Sequence, residues 1–170
     1  MNAKERREEI SKILSKKEEP VSASDLAEKF SVSRQIIVGD IAILRASGID
    51  ICATPRGYRI LKENTGLVSR IACKHDTATM EKELNIIVDN GCSVIDVIVE
   101  HPIYGQLTGQ LRLSNRFEVS QFINRCEKSK ARPLSNLTEG IHLHTLSCPS
   151  GEALSRVKTA LKAAEILITE

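Results

Sequence analysis

Apolar residues recur at helical spacing three times in the first third of the chain, and at alternating or continuous spacing immediately afterwards. An amphipathic stretch over about Ala3 to Ser15 comes first. The next, SASDLAEKF, sets Leu26, Ala27 and Phe30 on one side and leaves Asp25, Glu28 and Lys29 to water, with Ser22 or Ser24 available as N-cap. The third opens at Ser33, a good N-cap, and repeats Ile37, Ile41 and Leu44 at i, i+4 and i+7. After Ala46-Ser47-Gly48, a helix stop, IDICATPRGYRIL gives two strand-like pieces around Thr54-Pro55-Arg56-Gly57. Two short helices with the small Ala27 at their crossing and Ile37 beneath the second predict a helix-turn-helix, and the hairpin behind it predicts a wing.

The face opposite the Ile37-Ile41-Leu44 stripe carries Ser33, Arg34, Gln35, Val38 and Gly39, the side a DNA major groove would meet. Arg56, Tyr58 and Arg59 on the hairpin suit phosphate or minor-groove contact, because neutralising backbone charge supplies most nonspecific DNA affinity. In this order the elements resemble the winged helix-turn-helix domain of the biotin repressor and its relatives, over residues 1 to about 61. The resemblance implies binding to double-stranded operator DNA. Two departures stand out. Ser31 occupies the tight turn where glycine is common, so a left-handed backbone there carries strain. Val38 and Gly39 stand where relatives often have basic residues, and a mid-helix glycine costs about 1 kcal/mol against alanine; thymine-methyl contact and close backbone approach would account for them. An unrelated small helical domain is the alternative reading.

Beyond Lys62-Glu63-Asn64-Thr65-Gly66, a linker by composition, the periodicity changes. Strand-like Leu67 to Lys74 precedes a helix from about Thr77 to Asn90. The β-branched run Ser93 to Glu100 follows, then a turn around Pro102 to Gly105 and a strand near Gln106 to Leu113. A helix from Ser114 or Asn115 to Lys130, a strand Gly140 to Leu146 and a helix Ser150 to Leu167 complete the chain. The order β-α-β-β-α-β-α predicts an α+β protein whose second module, 67–170, is a ferredoxin-like antiparallel or mixed sheet with helices on one face.

The chain has 170 residues, enough for two modules with their own modest cores. Residues 1–61 hold 11 basic and 9 acidic side chains and residues 62–170 hold 13 of each, so the small positive excess lies on the first module. It is too small to imply nucleic acid alone; that reading rests on the motif. No apolar run of signal or membrane-spanning type occurs, and Cys52, Cys73, Cys92, Cys126 and Cys148 contain no close CxxC pair. Together these point to a reducing cytoplasm, with each cysteine expected as a small buried hydrophobe.

All four histidines lie in the second module. In Ile141-His142-Leu143-His144-Thr145, alternation places both imidazoles on one sheet face with Cα atoms about 6–7 Å apart. His75 ends the first strand, and the next helix aligns Met80, Glu83, Leu84 and Ile87, leaving Glu83 where an apolar residue is expected. A carboxylate there needs an escape to water or a cation. A metal would satisfy all four of His75, Glu83, His142 and His144, and imidazoles with one carboxylate suit zinc, nickel, iron or cobalt. Surface or hydrogen-bonded histidines are the alternative.

The segments KHDTATMEKEL, EHPIYGQL and GIHLHTL resemble the three-histidine domain of niacin-responsive transcriptional repressors, where it follows a winged helix-turn-helix. The resemblance implies a cytoplasmic, homodimeric repressor of NAD-biosynthesis or niacin-uptake genes, with nicotinic acid as corepressor and a divalent metal (zinc, nickel or iron) on His75, Glu83, His142 and His144. His101, beside Tyr104, is then placed to recognise the pyridine ring or its carboxylate, or simply ends a strand. Two other classes stay open. A metal-sensing repressor would answer to the ion alone; an enzyme is disfavoured because no glycine-rich phosphate loop is present.

Overall fold

The structure, a computed structural model, describes residues 1–60 and 66–169, so most of the expected linker lies outside the described residues. The chain divides into two compact units, Met1–Glu63 and Asn64–Glu170.

In the first unit, α1 (Ala3–Lys16), α2 (Ala23–Phe30) and α3 (Arg34–Ala46) precede a two-stranded hairpin, β1 (Ile51–Thr54) and β2 (Gly57–Ile60). Asn2 and Glu5 form a capping box at α1, the Ser22 hydroxyl accepts from Asp25 N–H at α2, and the Ser33 hydroxyl accepts from Ile36 N–H at α3. Between α2 and α3 the turn passes through Ser31 at φ 52°, the left-handed conformation expected at that position. Ile10 and Leu14 of α1, Leu26 and Ala27 of α2, and Ile37, Ile41 and Leu44 of α3 share one core with Ile51. Val21 and Tyr58 exchange backbone hydrogen bonds of 2.8 Å, tying the hairpin to the segment before α2.

The second unit follows the expected order: β3 (Leu67–Lys74), α4 (Met80–Asp89), β4 (Ser93–His101), β5 (Gly105–Leu113), α5 (Arg116–Lys128), β6 (Ile141–Cys148) and α6 (Gly151–Ala163). The sheet runs β3-β6-β4-β5 with every pairing antiparallel. β3 and β4 are therefore parallel with β6 between them, and β5 and β6 are parallel with β4 between them. Each α-linked pair is a split βαβ unit, and the two units interlock. Ile71, Cys73, Val94, Leu111, Leu113, Leu146 and Cys148 meet Leu84 and Ile87 of α4, Val119 of α5 and Val157 and Leu161 of α6 in a single core, so the three helices cover one face.

Four local features differ from the sequence-based expectation. Thr77–Thr79 is a 3-10 turn rather than the first turn of α4, because the Asp76 carboxylate caps Thr79. A second such turn, Leu134–Thr138, precedes β6 and had no periodic signal at that length. Helix α6 stops at Ala163, and the chain turns through Glu165 at φ 60° while Ile166 stays buried in the core. Leu167 then bridges Cys73, and Ile168 N–H donates to Ala72, so the tail closes the outer edge of β3. Finally, Cys92 and Cys148 are buried as expected but joined as a disulfide. Ser93 pairs with Ser147 across β4 and β6, which sets the two cysteines opposite one another, a relationship that sequence spacing does not reveal.

Candidate metal centre and nucleic-acid interface

Helix α4 presents Glu83 to the sheet at the position its periodicity gives, and the side chain is fully buried. Opposite it, β6 contributes His142 and His144, each 3% exposed, and the end of β3 contributes His75. His75 Nε2 lies 2.5 Å from Glu83 Oε2, His142 Nε2 lies 3.0 Å from Oε1, and His144 Nε2 lies 3.3 Å from Oε2. The three histidines picked from sequence thus converge on the carboxylate of the fourth residue, Glu83.

The other ring nitrogens are also engaged. His75 Nδ1 meets Asp76 O at 2.6 Å, His142 Nδ1 meets Gly140 O at 2.8 Å, and His144 Nδ1 meets Asp96 O at 2.7 Å. A carbonyl only accepts, so each Nδ1 carries a proton and each Nε2 is the ring atom turned to the centre, a donor to Glu83 while protonated and a lone-pair ligand once that proton is lost. This backbone orientation of imidazoles is the usual second layer of a metal site. The Asp96 carbonyl lies where β4 carries a bulge, and the Asp96 carboxylate accepts from Thr145 N–H at 3.0 Å, fixing the bulge against β6.

Burial pushes the His75 and His144 pKa values down, but hydrogen bonding to Glu83 and its charge outweigh this and hold both above their ordinary value. Burial pushes Glu83 up, yet the His144 charge and the three imidazole hydrogen bonds hold it well below the usual carboxylate range. The ionised carboxylate is therefore favoured, and so are the protonated rings of His75 and His144 that face it. A dication displacing those protons would meet three nitrogen donors and one oxygen donor, a set that fits zinc, nickel or iron.

His101 is not brought to this cluster. It ends β4 and its Nδ1 accepts from Ile103 and Tyr104 N–H at 3.1 and 3.3 Å, while its ring lies 5.0 Å from that of Tyr104. Tyr104 is 71% exposed. Sequence reasoning missed a groove of about 630 Å³ beside the cluster, lined by His75 and by Lys74, Asp76, Arg132, Asn136 and Gly140. Lys74 and Arg132 are far apart in sequence, and no spacing links them.

On the first unit, Ser33, Arg34, Gln35 and Gly39 are exposed along α3 and Val38 is half-buried, so the predicted reading face is open. The hairpin residues are more occupied. Arg56 pairs with Glu19. Tyr58 packs on the core, with the Arg45 guanidinium 5.9 Å above its ring. Arg59 Nε is buried without a hydrogen-bond partner among the described residues. A further residue, unseen in the sequence, positions the reading helix: buried Asp40 on α3 accepts from Arg6 Nε at 2.6 Å and lies 3.4 Å from Arg7 Nη1, both on α1.

Residues 68–170 match the family described as 3H domain, and residues 6–59 match the HTH domain. The chain is 45% identical to the probable transcription repressor NiaR of Thermotoga maritima, covering 98% of this chain and 95% of that one. It is 40% identical to the transcription repressor NadR of Bacillus subtilis, covering 97% and 94%. The chain belongs to the NiaR-like family of repressors. Both relatives are named as transcription repressors, one of them as a probable one, and neither as an enzyme. Among the described residues no helix is long and apolar enough to cross a membrane.

Proposed function

We propose that this chain is a cytoplasmic, homodimeric, nicotinic acid-dependent repressor of NAD-biosynthesis or niacin-uptake genes, with a divalent transition metal held by His75, Glu83, His142 and His144. The observation that carries the reading is the convergence of three backbone-oriented imidazoles on a buried carboxylate, a donor set in which a dication can take the place of the imidazole protons. When bound, the metal supplies an open coordination position for the pyridine nitrogen or the carboxylate of the effector. The groove beside His75 is of ligand size, and its lining carries Lys74 and Arg132 to pair with an anionic group alongside the acidic Asp76 and Glu139. The effector contact is accordingly assigned to this groove or to His101 and Tyr104 at the end of β4, where either could recognise the ring or its carboxylate.

On the DNA side, Ser33, Arg34, Gln35 and Val38 enter the major groove, and Arg56, Tyr58 and Arg59 steady the hairpin or reach phosphate. Two copies read a palindromic operator, and nicotinate favours the DNA-competent arrangement by about 1–3 kcal/mol, a typical coupling. The test is fluorescence anisotropy on operator DNA with metal and nicotinate supplied separately and together. The proposal expects tightening of about 5- to 150-fold when both are present. Unchanged affinity overturns the corepressor reading, and tightening by the ion alone identifies a metal sensor.

A further inference from the structure

Cys73 stands directly across the β3–β6 ladder from His142, so the two side chains leave the sheet on the same face. It is fully buried, and α4 brings Glu83 down onto it. The donor atoms of Cys73, Glu83 and His142 all lie within 4.8 Å of one another. That spacing suits one ion at ordinary bond lengths, about 2.3 Å to sulfur and 2.0–2.2 Å to nitrogen and oxygen. Of the three free cysteines, Cys73 is the one in this cluster: Cys52 belongs to the other unit and Cys126 lies on α5.

The geometry points to Cys73 as a sulfur ligand of the metal centre, which makes the site selective for thiophilic divalent ions such as zinc, cobalt or cadmium over magnesium and manganese. This rests on the metal reading above and adds a sulfur donor beside Glu83 and His142. As the sulfur–metal bond forms, the S–H bond breaks heterolytically. Its proton passes to solvent, its electron pair becomes the ligand pair, and nothing is oxidised. A soft thiolate beside imidazoles ranks metals differently from an all-nitrogen and oxygen set. The backbone of Cys73 is bridged to Leu167 at the outer edge of β3, which holds its strand in register while the side chain faces the ion.

Cobalt(II) added to the full-length, metal-free protein reads this directly. The expected spectrum contains a near-ultraviolet sulfur-to-cobalt charge-transfer band saturating at one ion per chain, absent in Cys73→Ser although that variant still binds cobalt by calorimetry. The band should persist in Cys52→Ser and Cys126→Ser. Cobalt that binds with d–d bands but no charge-transfer band overturns the sulfur ligand and leaves the four-residue centre standing. No cobalt binding at all overturns both. Should Cys73→Ser fail to fold by circular dichroism, the presence or absence of the band in the parent protein still decides the matter, with Cys73→Ala as second variant.

Discussion

Gly140 packs its α-carbon against the backbone of His75 so closely that a Cβ there would clash with the His75 carbonyl oxygen. Gly140 also sits at φ 92°, which favours glycine, and its own carbonyl accepts from His142 Nδ1. One glycine thereby sets two of the three imidazoles.

Replacing it should act on the centre without touching a ligand. In Gly140→Ala the added methyl must push His75 from the cluster and tilt the carbonyl that orients His142. Metal affinity measured by competition with a chelator should fall by at least about 10-fold, as when an orienting group of a metal site is removed. Binding at parental strength would show that the close contact does not position His75.

The protonation of the cluster gives a pH signature. His75 and His144 are raised above their ordinary 6.5, so their contribution to stability is fully present below 6.5 and is lost as pH rises through the raised values. Glu83 is lowered below its ordinary 4.5, so its contribution is present above 4.5 and is lost as pH falls through the lowered value. Metal-free protein should therefore melt highest between pH 4.5 and 6.5 and lose stability as the pH rises through the raised histidine values. Metal competes with the imidazole protons, so the gap between melting curves with zinc and with chelator should widen over the same rise. A gap independent of pH would mean that the histidines do not exchange protons for the ion.

The elements that sequence made legible are those whose signal is local. Ile37, Ile41 and Leu44 fixed the buried side of α3, and alternation in the His142-His144 strand fixed a shared face. Glu83 was legible because a carboxylate on an apolar stripe is out of place. What escaped depends on strand order. Which strands neighbour β6 decides that Cys92 meets Cys148 and that Cys73 meets His142, and hydrophobic pattern does not rank pairings of equally apolar strands. Asp40 was the same kind of misfit as Glu83, a carboxylate between Ile37 and Ile41, with its partners Arg6 and Arg7 one helix away.

That pair yields a separable prediction. Asp40 is 3% exposed and binds α3 to α1, so Asp40→Asn keeps the shape while removing the charge that Arg6 and Arg7 face. Thermal melting should show the first unit less stable, and operator affinity should weaken as α3 loosens, while metal affinity of the second unit stays at the parental value. Loss of metal binding in this variant would contradict the assignment of Asp40 to the DNA-reading unit alone.

Gly39 offers the sharpest test of which side of α3 meets DNA. A Cβ at that position would meet no atom within 4 Å, so nothing in the fold excludes a side chain there. Glycine inside a helix is destabilising by about 0.5–1 kcal/mol relative to alanine. Gly39→Ala should therefore raise the unfolding free energy of the first unit by about that amount. The same methyl projects about 40° around the helix from Gln35, on the exposed side where the reading helix would approach base edges and backbone. Operator affinity should fall even as stability rises, an opposition that no folding defect produces. Arg34→Ala supplies the complementary control: its loss should cost about 1–3 kcal/mol at one operator position if it reads a base, or lower the salt slope by about one if it holds a phosphate. A more stable Gly39→Ala protein that binds the operator undiminished would mean that the groove is entered from another side of the helix.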